Sequence, residues 1–329
     1  MMSDWEVIFW DVGQGDASTV RLSDGTYILI DAGPIAKQGN PLSRWFAANP
    51  TARVRKVVLT HNHRDHFGGL VSLLEGGNAV EEVLMQKDRA FYEVPPKRDF
   101  QILQHSIESK VRSGTLSLKW FDGAPYEIYG DDDFRLVAVH PGALPVPSDS
   151  DQNATSMIIQ LERRSGPGVP LIVWGGDALL RDICKIPLTS KVGVLMGPHH
   201  GHPIDGFKKR DECIRVLSAL SPECLFVSVG TNNNYRIPQR QYLFSAAAMG
   251  AIVCCSELTD RCGQFHSGRD VYPGSMMLGI SKPQGAVQCR GSMRVTVSAQ
   301  KGLLFDECQE EFREAVKVIE NRYCKCPKS

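Results

Sequence analysis

The chain has 329 residues, enough for one large domain or two ordinary ones, and 42% of its residues are hydrophobic. Basic and acidic residues are equal at 37 each, so the formal net charge is zero, which argues against a strongly basic nucleic-acid binder but allows a local basic groove. No apolar run reaches the roughly 18 residues of a membrane span, and the first residues lack the pattern of a signal peptide. We therefore expect a cytoplasmic protein with no membrane association.

The first part of the chain predicts three strands, and the third ends in an acidic residue. The strands are expected over 6–10, 17–22 and 26–30 because these runs are rich in β-forming residues and bounded by turn residues. Glycines in the connection 11–16 permit a tight turn between the first two strands. The third strand leads directly to Asp31, and a strand end followed by a turn is a common position for a functional side chain.

A cluster of metal-binding side chains follows the next predicted strand, 53–59. Three histidines and one aspartate fall within six positions: His61, His63, Asp65 and His66. Histidine is the commonest metal ligand and rarely clusters for packing reasons. In an extended segment His61 and His63 point to the same side, so one ion can take both of them. Asp65 and His66, after the bend, can face a second ion.

Two later strands also end in candidate ligands. The strand predicted over 171–174 is followed by Asp177, and the strand predicted over 192–196 is followed by His199 and His200. Side chains at strand ends can converge on one edge of a sheet while the strands hold the backbone rigid. Asp177 has two carboxylate oxygens and is suited to bridging two ions.

The remaining predicted elements alternate between strands and helices, which favours helices on the outer faces of sheets. Further strands are expected over 81–85, 116–121, 126–129, 134–139, 156–161, 224–229, 251–256 and 292–298. Helices are expected over 42–48, 67–74, within 88–115, over 207–220 and over 305–322.

The pattern of ligands predicts a particular kind of chemistry. Two ions about 4 Å apart can hold the attacking and leaving oxygens of a phosphoryl or acyl centre, and they lower the pKa of bound water to about 7, so that hydroxide is available at neutral pH. The alternative is a set of unrelated surface histidines. The strand-end aspartate and the later histidine pair argue against that alternative.

The ordered motifs resemble those of the metallo-β-lactamase-fold hydrolases. The segment His61-x-His63-x-Asp65-His66 is similar to the signature of that family. Five further segments resemble the soluble hydrolase domain of the ComEC competence proteins: 11–17, 28–33, Gly176-Asp177, Pro198-His199-His200-Gly201 and Ser228-Val229-Gly230. The matches run from about residue 5 to 260. We therefore expect a hydrolase domain over 1–260, with strands and a helix in 261–329 completing that domain or packing on it.

The resemblance implies an α/β fold, namely an αββα sandwich of two mixed β-sheets flanked by helices. It also implies a dinuclear site that holds zinc or manganese. Carried over residue by residue, the metal ligands are His61 and His63 for one ion, Asp65, His66 and His200 for the other, and Asp177 as the bridge. Asp65 and His199 are the expected catalytic side chains, with His199 orienting substrate or moving a proton. Asp31 is expected to fix a ligating imidazole by a hydrogen bond.

The chain departs from the wider family before the bridging aspartate. Many members have a histidine ligand in that segment, whereas this chain has Asn153-Ala154-Thr155-Ser156. We therefore expect weaker binding of the first ion, and His140 or Asn153 could complete its site. Asn153 and Ser156 are expected near the metals or the substrate.

A second departure lies in the loop after residue 230. The ComEC-like stretch Asn-x-Tyr-Gly-His-Pro is altered here to a segment that keeps Asn233 and Tyr235 but carries Arg236 and no histidine. Asn233 and Tyr235 are expected near the substrate. The altered segment means that substrate preference cannot be copied from the ComEC proteins.

The ten cysteines allow a second, structural metal site. Cys255, Cys262, His266 and Cys289 have the right side chains for zinc. Their spacing is irregular and contains no Cys-x-x-Cys, which favours buried thiols instead.

These features together predict a dinuclear metal-dependent hydrolase, a phosphodiesterase or nuclease that acts on nucleic acid or nucleotides through metal-bound hydroxide. One alternative is the hydrolysis of a small ester, namely a phosphocholine ester, a lactam or a thioester. Another is a non-enzymatic, metal-stabilised component of a multi-protein defence system. The resemblance also implies partner proteins from a defence or mobile-element operon, while the sequence leaves the oligomeric state open.

Overall fold

The computed structural model describes residues 4–36, 39–86, 98–142, 153–165, 170–183, 191–202, 210–262 and 267–317, together with 319 and 324. In these ranges the strands are β1 (Trp5–Phe9), β2 (Ala17–Arg21), β3 (Tyr27–Ala32), β4 (Val54–Val58), β5 (Val80–Gln86), β6 (Ser117–Phe121), β7 (Tyr126–Gly130), β8 (Phe134–His140), β9 (Ile158–Arg163), β10 (Pro170–Trp174), β11 (Val194–Met196), β12 (Cys224–Val227), β13 (Ile252–Cys255), β14 (Met293–Ser298) and β15 (Gly302–Phe305). The α-helices are α1 (Pro41–Ala48), α2 (Arg64–Glu75), α3 (Arg98–Arg112), α4 (Leu180–Ile183), α5 (Arg210–Leu220), α6 (Arg240–Ala248), α7 (Gly274–Met277) and α8 (Cys308–Lys317).

The strands form two mixed sheets. The first has eight strands in the order β15-β14-β1-β2-β3-β4-β5-β6, and the second has seven in the order β13-β12-β11-β10-β9-β8-β7. Strands β3 to β6 are parallel in the first sheet, and β10 to β13 are parallel in the second. The other neighbours in both sheets are antiparallel.

Alternating side chains divide the buried residues into two cores. Val58 in β4 packs in the core between the two sheets, whereas its neighbour Val57 packs against α1, α2 and α3 on the outer face. Both faces of the strand are therefore buried at residues 57 and 58, which explains why this end of the strand is apolar, whereas Arg55 and Lys56 are partly exposed. Side chains of α5, α6 and α8 join the core on the side of the second sheet. The result is the predicted αββα sandwich, which is confirmed.

The C-terminal segment contributes to the first sheet. Strand β14 pairs antiparallel with β1, with Trp5 opposite Val297, and β15 forms the edge beyond it. Arg290, fully buried, donates to Asp306 at 2.6 Å and anchors the segment that leads into α8. This pairing supports the segment after residue 260 as part of the same unit, while the division at that residue stays a prediction.

In the C-terminal half, one predicted helix begins later in the structure than expected, and one helix of the structure was not predicted. The predicted terminal helix does not begin at Phe305, because this residue ends β15 and α8 begins at Cys308. A short apolar run next to a helical pattern is ambiguous between strand and helix, and here the hairpin with β14 decides for the strand. Helix α6 was not predicted, since its Ala- and Ser-rich sequence has little helical periodicity in its apolar residues.

The sheet order brings the predicted ligand-bearing segments to one edge of the sandwich. The parallel neighbours β3 and β4 carry Asp31 and the segment after residue 59 at their carboxyl ends. The parallel neighbours β10 and β11 likewise lead to Asp177 and to residues 198–201. Among the described helices, none is both long and apolar enough to cross a lipid bilayer.

Candidate metal centre

Asp177 lies at the centre of the site, and three histidines approach its Oδ2 oxygen. His61 Nε2 is 3.4 Å from this oxygen, His199 Nε2 is 3.7 Å away and His63 Nδ1 is 3.8 Å away. Asp177 itself is buried, with a side chain that is 4% exposed. We call His61, His63, His199 and the Oδ2 oxygen the first half of the site.

Two other histidines approach Oδ1 of the same carboxylate. His66 Nε2 lies 3.2 Å from Asp177 Oδ1, and His200 Nε2 lies 3.6 Å from it. His200 Nε2 is also 3.4 Å from Asp65 Oδ2. We call Asp65, His66, His200 and the Oδ1 oxygen the second half. Asp177 therefore has histidines beside both of its oxygens, and the two halves adjoin, since His61 and His66 form with Asp177 one group whose ligand atoms lie within 4.8 Å of one another.

The beginning of helix α2 carries Asp65 and His66, and it packs tightly against the end of β3 and the loop that follows. A Cβ at Gly68 would lie 2.1 Å from the Ile35 backbone nitrogen, and one at Gly69 would lie 2.0 Å from the Ala32 carbonyl oxygen. Any larger residue would push the helix away from this loop. The two glycines thus allow His66, one turn earlier, to reach Asp31.

The turn Pro198–Gly201 places two consecutive histidines on the two halves. His199 has φ 47° and ψ 47°, and His200 has φ 52° and ψ 31°. Such left-handed conformations cost non-glycine residues about 1–3 kcal/mol each and persist only where surrounding contacts enforce them. The His199 backbone N–H donates to the Gly176 carbonyl at 2.8 Å, which ties this turn to the strand end that carries Asp177.

Buried carboxylates orient both imidazoles of the second half. Asp31 Oδ2 lies 2.8 Å from His66 Nδ1, and Asp31 also accepts hydrogen bonds from the Thr60 backbone N–H and hydroxyl. Asp16 Oδ1 lies 3.2 Å from His200 Nδ1, which is also 3.0 Å from the Ser228 carbonyl oxygen. A partner on Nδ1 fixes the ring so that Nε2 points into the site.

The Asp16 contact was not predicted. This residue lies in the glycine-containing connection 11–16, and its backbone N–H donates to the Asp65 carbonyl at 3.2 Å. Gly15 allows this approach, because a Cβ there would lie 2.3 Å from the same carbonyl oxygen. The available signal was an acidic residue beside glycines in a strand connection, the same kind of signal that identified Asp31.

Hydroxyl groups support the first half. His61 Nδ1 lies 3.1 Å from the Thr60 hydroxyl and 3.4 Å from the Ser156 hydroxyl. The Ser156 hydroxyl also accepts a hydrogen bond from the Asp177 backbone N–H at 3.1 Å. Ser156 therefore positions His61 and Asp177 together, through neutral contacts rather than charged ones.

Electrostatics separate the two halves further. Burial alone would lower the pKa of His66, but the carboxylates of Asp177 and Asp31 outweigh it and hold this pKa well above its usual value. Burial likewise opposes protonation of His200, yet Asp16 and Asp65 raise its pKa well above the usual range. In the first half, burial dominates and lowers the pKa of His199 to about 4.

The carboxylates of Asp177 and Asp65 both have lowered pKa values, which favours their charged form. Burial would raise the pKa of Asp177, but the neighbouring His66 and His61 hold it well below its usual value. The pKa of Asp65 is also lowered, because its contacts with His200 and His66 outweigh burial. A divalent cation would compete with protons for the same imidazoles and carboxylates, as expected of a metal site.

Several buried polar atoms of the site have no hydrogen-bond partner among the described residues, and these atoms indicate whether the site fits a metal. Within the described residues, His61 Nε2, His66 Nε2, His200 Nε2 and Asp177 Oδ1 are buried without a hydrogen-bond partner. Buried polar atoms are rarely left unpaired, so each one requires an explanation. Ligand atoms of His61, His66 and Asp177 lie within 4.8 Å of one another, as do those of Asp65, His66 and His200. The donor set is thus that of a divalent-metal site with imidazole and carboxylate ligands.

Four other residues were expected near the metals or the substrate, and the structure places them in a turn, at a strand end and in a loop. Asn153 lies in a single 3-10 turn before β9, and its Oδ1 is buried without a hydrogen-bond partner among the described residues. His140 ends β8. The Asn233 amide donates to the carbonyls of Gly230 and Ile237, so it stabilises its own loop. Tyr235 is 68% exposed in that loop.

The predicted cysteine site is only partly within the described residues, because His266 lies outside them. Cys255 and Cys289 are buried, and Cys262 is partly buried. Among the described residues, the groups of three or more ligand atoms within 4.8 Å of one another contain no cysteine. Burial raises the pKa of the Cys255 and Cys289 thiols well above the usual value, as expected of thiols buried in a core.

Part of the chain matches a known protein family. Residues 10–151 match the model of the Metallo-beta-lactamase superfamily. A ribonuclease Z from Thermococcus sibiricus is 28% identical over 104 residues, which are 32% of this chain and 24% of that protein. The chain thus matches about a quarter of the length of this relative.

Solved structures of similar fold include unliganded yeast PDE1, with 15% identity and a TM-score of 0.45 over 77% of this chain and 98% of that one. A diphosphatase from the PhnP family has 11% identity and a TM-score of 0.41 over 76% of this chain and 94% of that one. The chain has the metallo-β-lactamase α/β sandwich fold, and the motif from His61 to His66 lies within the part that matches this superfamily.

Proposed function

We propose that this chain is a dinuclear metal-dependent hydrolase that cleaves a phosphodiester bond in nucleic acid or nucleotides. The observation that carries the proposal is the carboxylate of Asp177, whose two oxygens each have imidazoles beside them. Three of those imidazoles and one of those oxygens are buried without hydrogen-bond partners among the described residues. The relative with a ribonuclease name and the resemblance to the ComEC hydrolase domain favour a phosphodiester over other substrates.

The candidate ligands differ in how far their side chains are exposed to solvent. His61, His66, His200 and Asp177 have side chains that are at most 4% exposed. His63, Asp65 and His199 are 39%, 30% and 25% exposed. Substrate would therefore approach on the side of these three residues.

The chemistry of the bound ions is shared by many hydrolases. Two divalent ions, zinc or manganese, would make water acidic enough to ionise near neutral pH and would stabilise charge on the phosphoryl oxygens. The Asp65 carboxylate is 30% exposed beside His200, and its contacts with His200 and His66 lower its pKa, so it would hold an ion and accept a hydrogen bond from a water molecule that it orients. Asp177 would hold both ions, because histidines of the first half lie beside its Oδ2 and histidines of the second half beside its Oδ1.

The test combines variants with a panel of substrates. In protein loaded with zinc or manganese, we expect cleavage of single- or double-stranded DNA, RNA, cyclic nucleotides or an aryl phosphodiester. Asp177→Ala should lower kcat/KM about 10³-fold or more, since bound ions supply several kcal/mol of transition-state stabilisation and each 1.4 kcal/mol is tenfold. His61→Ala and Asp65→Ala should also lose most activity.

A matched control is His105→Ala, which removes an exposed histidine from α3. This variant should keep the activity of the parent. Activity confined to carboxylic esters, lactams, thioesters or phosphocholine esters would overturn the nucleic-acid and nucleotide assignment. Full activity in Asp177→Ala, His61→Ala and Asp65→Ala would overturn the metal centre itself.

A further inference from the structure

We propose that His199 is the third imidazole ligand of the first ion, beside His61 and His63, and takes the place of the histidine that the segment before Asp177 lacks. The inference rests on the proposed dinuclear function. It changes the role expected for His199, from a group that orients substrate to a group that holds the metal.

The segment before Asp177 has no room for an imidazole at its last position. The Ser156 hydroxyl contacts both His61 Nδ1 and the Asp177 backbone N–H. A Cβ on Gly176 would lie only 2.4 Å from the Ser156 oxygen. The Ser156 hydroxyl thus packs closely against the turn that carries Asp177, and a larger side chain at position 156 would crowd this turn.

His199 lies where that ligand is needed. Its Nε2 is 3.7 Å from Asp177 Oδ2, the same oxygen that His61 Nε2 and His63 Nδ1 approach at 3.4 and 3.8 Å. Ligand atoms that share a tetrahedral ion at about 2.0–2.1 Å lie roughly 3.4 Å apart. The three distances to Oδ2 are of that order, but His63 and His199 belong to none of the described groups whose ligand atoms all lie within 4.8 Å of one another, so the imidazoles would have to close toward one another to share an ion.

The left-handed turn explains how adjacent residues can serve different ions. The rings of His199 and His200 are 6.2 Å apart between centroids and inclined by 73°. His199 approaches Oδ2 of Asp177, and His200 approaches Oδ1. Backbone strain is usually retained where it serves a site, and here two consecutive strained residues divide their imidazoles between the two halves.

The experiment measures metal binding directly and does not depend on turnover. Apo protein is titrated with zinc or manganese by calorimetry, and bound metal is counted by mass spectrometry after desalting. The variant is His199→Asn, because asparagine tolerates a positive φ and keeps the turn intact. His199→Gly is the second variant, since glycine also tolerates this conformation and offers no ligand atom.

We expect two ions in the parent protein. Both His199 variants should retain one ion and bind the other more than about 100-fold more weakly, since even an indirect partner of a ligand is worth 10–100-fold in affinity. His200→Asn should instead weaken the other binding step. Asn153→Ala and His140→Ala test the two rival ligands and should each bind two ions, as should the exposed-histidine control His105→Ala. Thermal melting of every variant establishes that it is folded.

The outcomes separate the inference from the function on which it rests. Two ions of unchanged affinity in a folded His199→Asn and His199→Gly would overturn the role of His199 and leave the dinuclear hydrolase standing. Loss of the first ion in Asn153→Ala or His140→Ala, with His199 variants unaffected, would assign that ligand to the rival residue. A parent protein that binds no divalent ion would overturn the proposed function as well.

Discussion

The two halves of the site share Asp177 but differ in what lies behind their imidazoles. In the second half, His66 and His200 each have a buried carboxylate at Nδ1, Asp31 at 2.8 Å and Asp16 at 3.2 Å. In the first half, the partners of His61 Nδ1 within the described residues are the hydroxyl groups of Thr60 and Ser156. A carboxylate makes the imidazole a stronger donor to a metal and orients it more firmly than a neutral hydroxyl does.

Exposure follows the same division in part, since His61 of the first half is 1% exposed and Asp65 of the second half is 30% exposed. The imidazoles of the second half are at most 2% exposed, whereas His63 and His199 are 39% and 25% exposed. We therefore expect the second half to bind its ion more tightly and the first half to release its ion first when a chelator is added. On the proposed function, the groups that surround otherwise similar ligands would distinguish a retained ion from an exchangeable one.

The largest expected effect comes from the carboxylates of the second half. Asp31→Asn and Asp16→Asn should each weaken the tighter metal-binding step about 10–100-fold, because such partners orient the ligating ring and raise its basicity. Asparagine preserves the shape of both side chains and tolerates the positive φ of 55° at Asp31. Calorimetric titration of apo protein measures both steps. An unchanged tighter step in both variants would contradict the comparison.

Removal of the hydroxyl in the first half should have a smaller effect. Ser156→Ala removes one neutral hydrogen bond, worth about 0.5–1.5 kcal/mol, so the weaker metal-binding step should lose roughly 2–10-fold in affinity. The same titration measures it, and the tighter step serves as the internal control. If Ser156→Ala weakened binding as much as Asp31→Asn does, the distinction between carboxylate and hydroxyl support would be wrong.

The smallest effect concerns thermal stability and involves the buried carboxylates beside the connection that carries Asp16. Asp11 begins the connection that carries Asp16, and it is fully buried beside Glu257. Burial, followed by the nearby Asp11 carboxylate, raises the pKa of Glu257 to about 9, while the Thr231 backbone N–H donates to it at 2.5 Å. Lys282 is the cation that acts on Asp11.

The sign of the pH dependence follows from this raised pKa. The stability that protonated Glu257 contributes is fully present below its unfolded pKa of about 4.5 and is lost as pH rises through about 9. Glu257→Gln keeps a neutral side chain and should melt at a higher temperature than the parent, by a margin that grows between pH 5 and pH 9. Each kcal/mol corresponds to about 2–4 °C. Glu75→Gln, at an exposed position of α2, is the matched control, and a margin independent of pH would contradict the prediction.

Much of the fold and of the ligand set was predictable because it depends on local patterns. Strand ends followed by polar residues located Asp31, the segment from His61 to His66, Asp177 and the pair His199-His200. The end of β4 at residues 57 and 58 is buried on both faces and therefore apolar, and this short apolar run is visible in the sequence. Helix α6 and strand β15 were missed, since their short or weakly periodic runs do not distinguish helix from strand.

The sequence by itself determined which side chains could bind metal and that they lie at strand ends, because residue type and periodicity are local properties. Only the tertiary structure decided which of them meet. Asp16 reaches His200 because Gly15 lets a distant connection pack on Asp65, and Ser156 reaches Gly176 because β9 begins where its antiparallel neighbour β10 ends. His199 faces the opposite oxygen from His200 because the turn is left-handed. These contacts join residues far apart in the chain or depend on an unusual backbone conformation, and neither leaves a local pattern in the sequence.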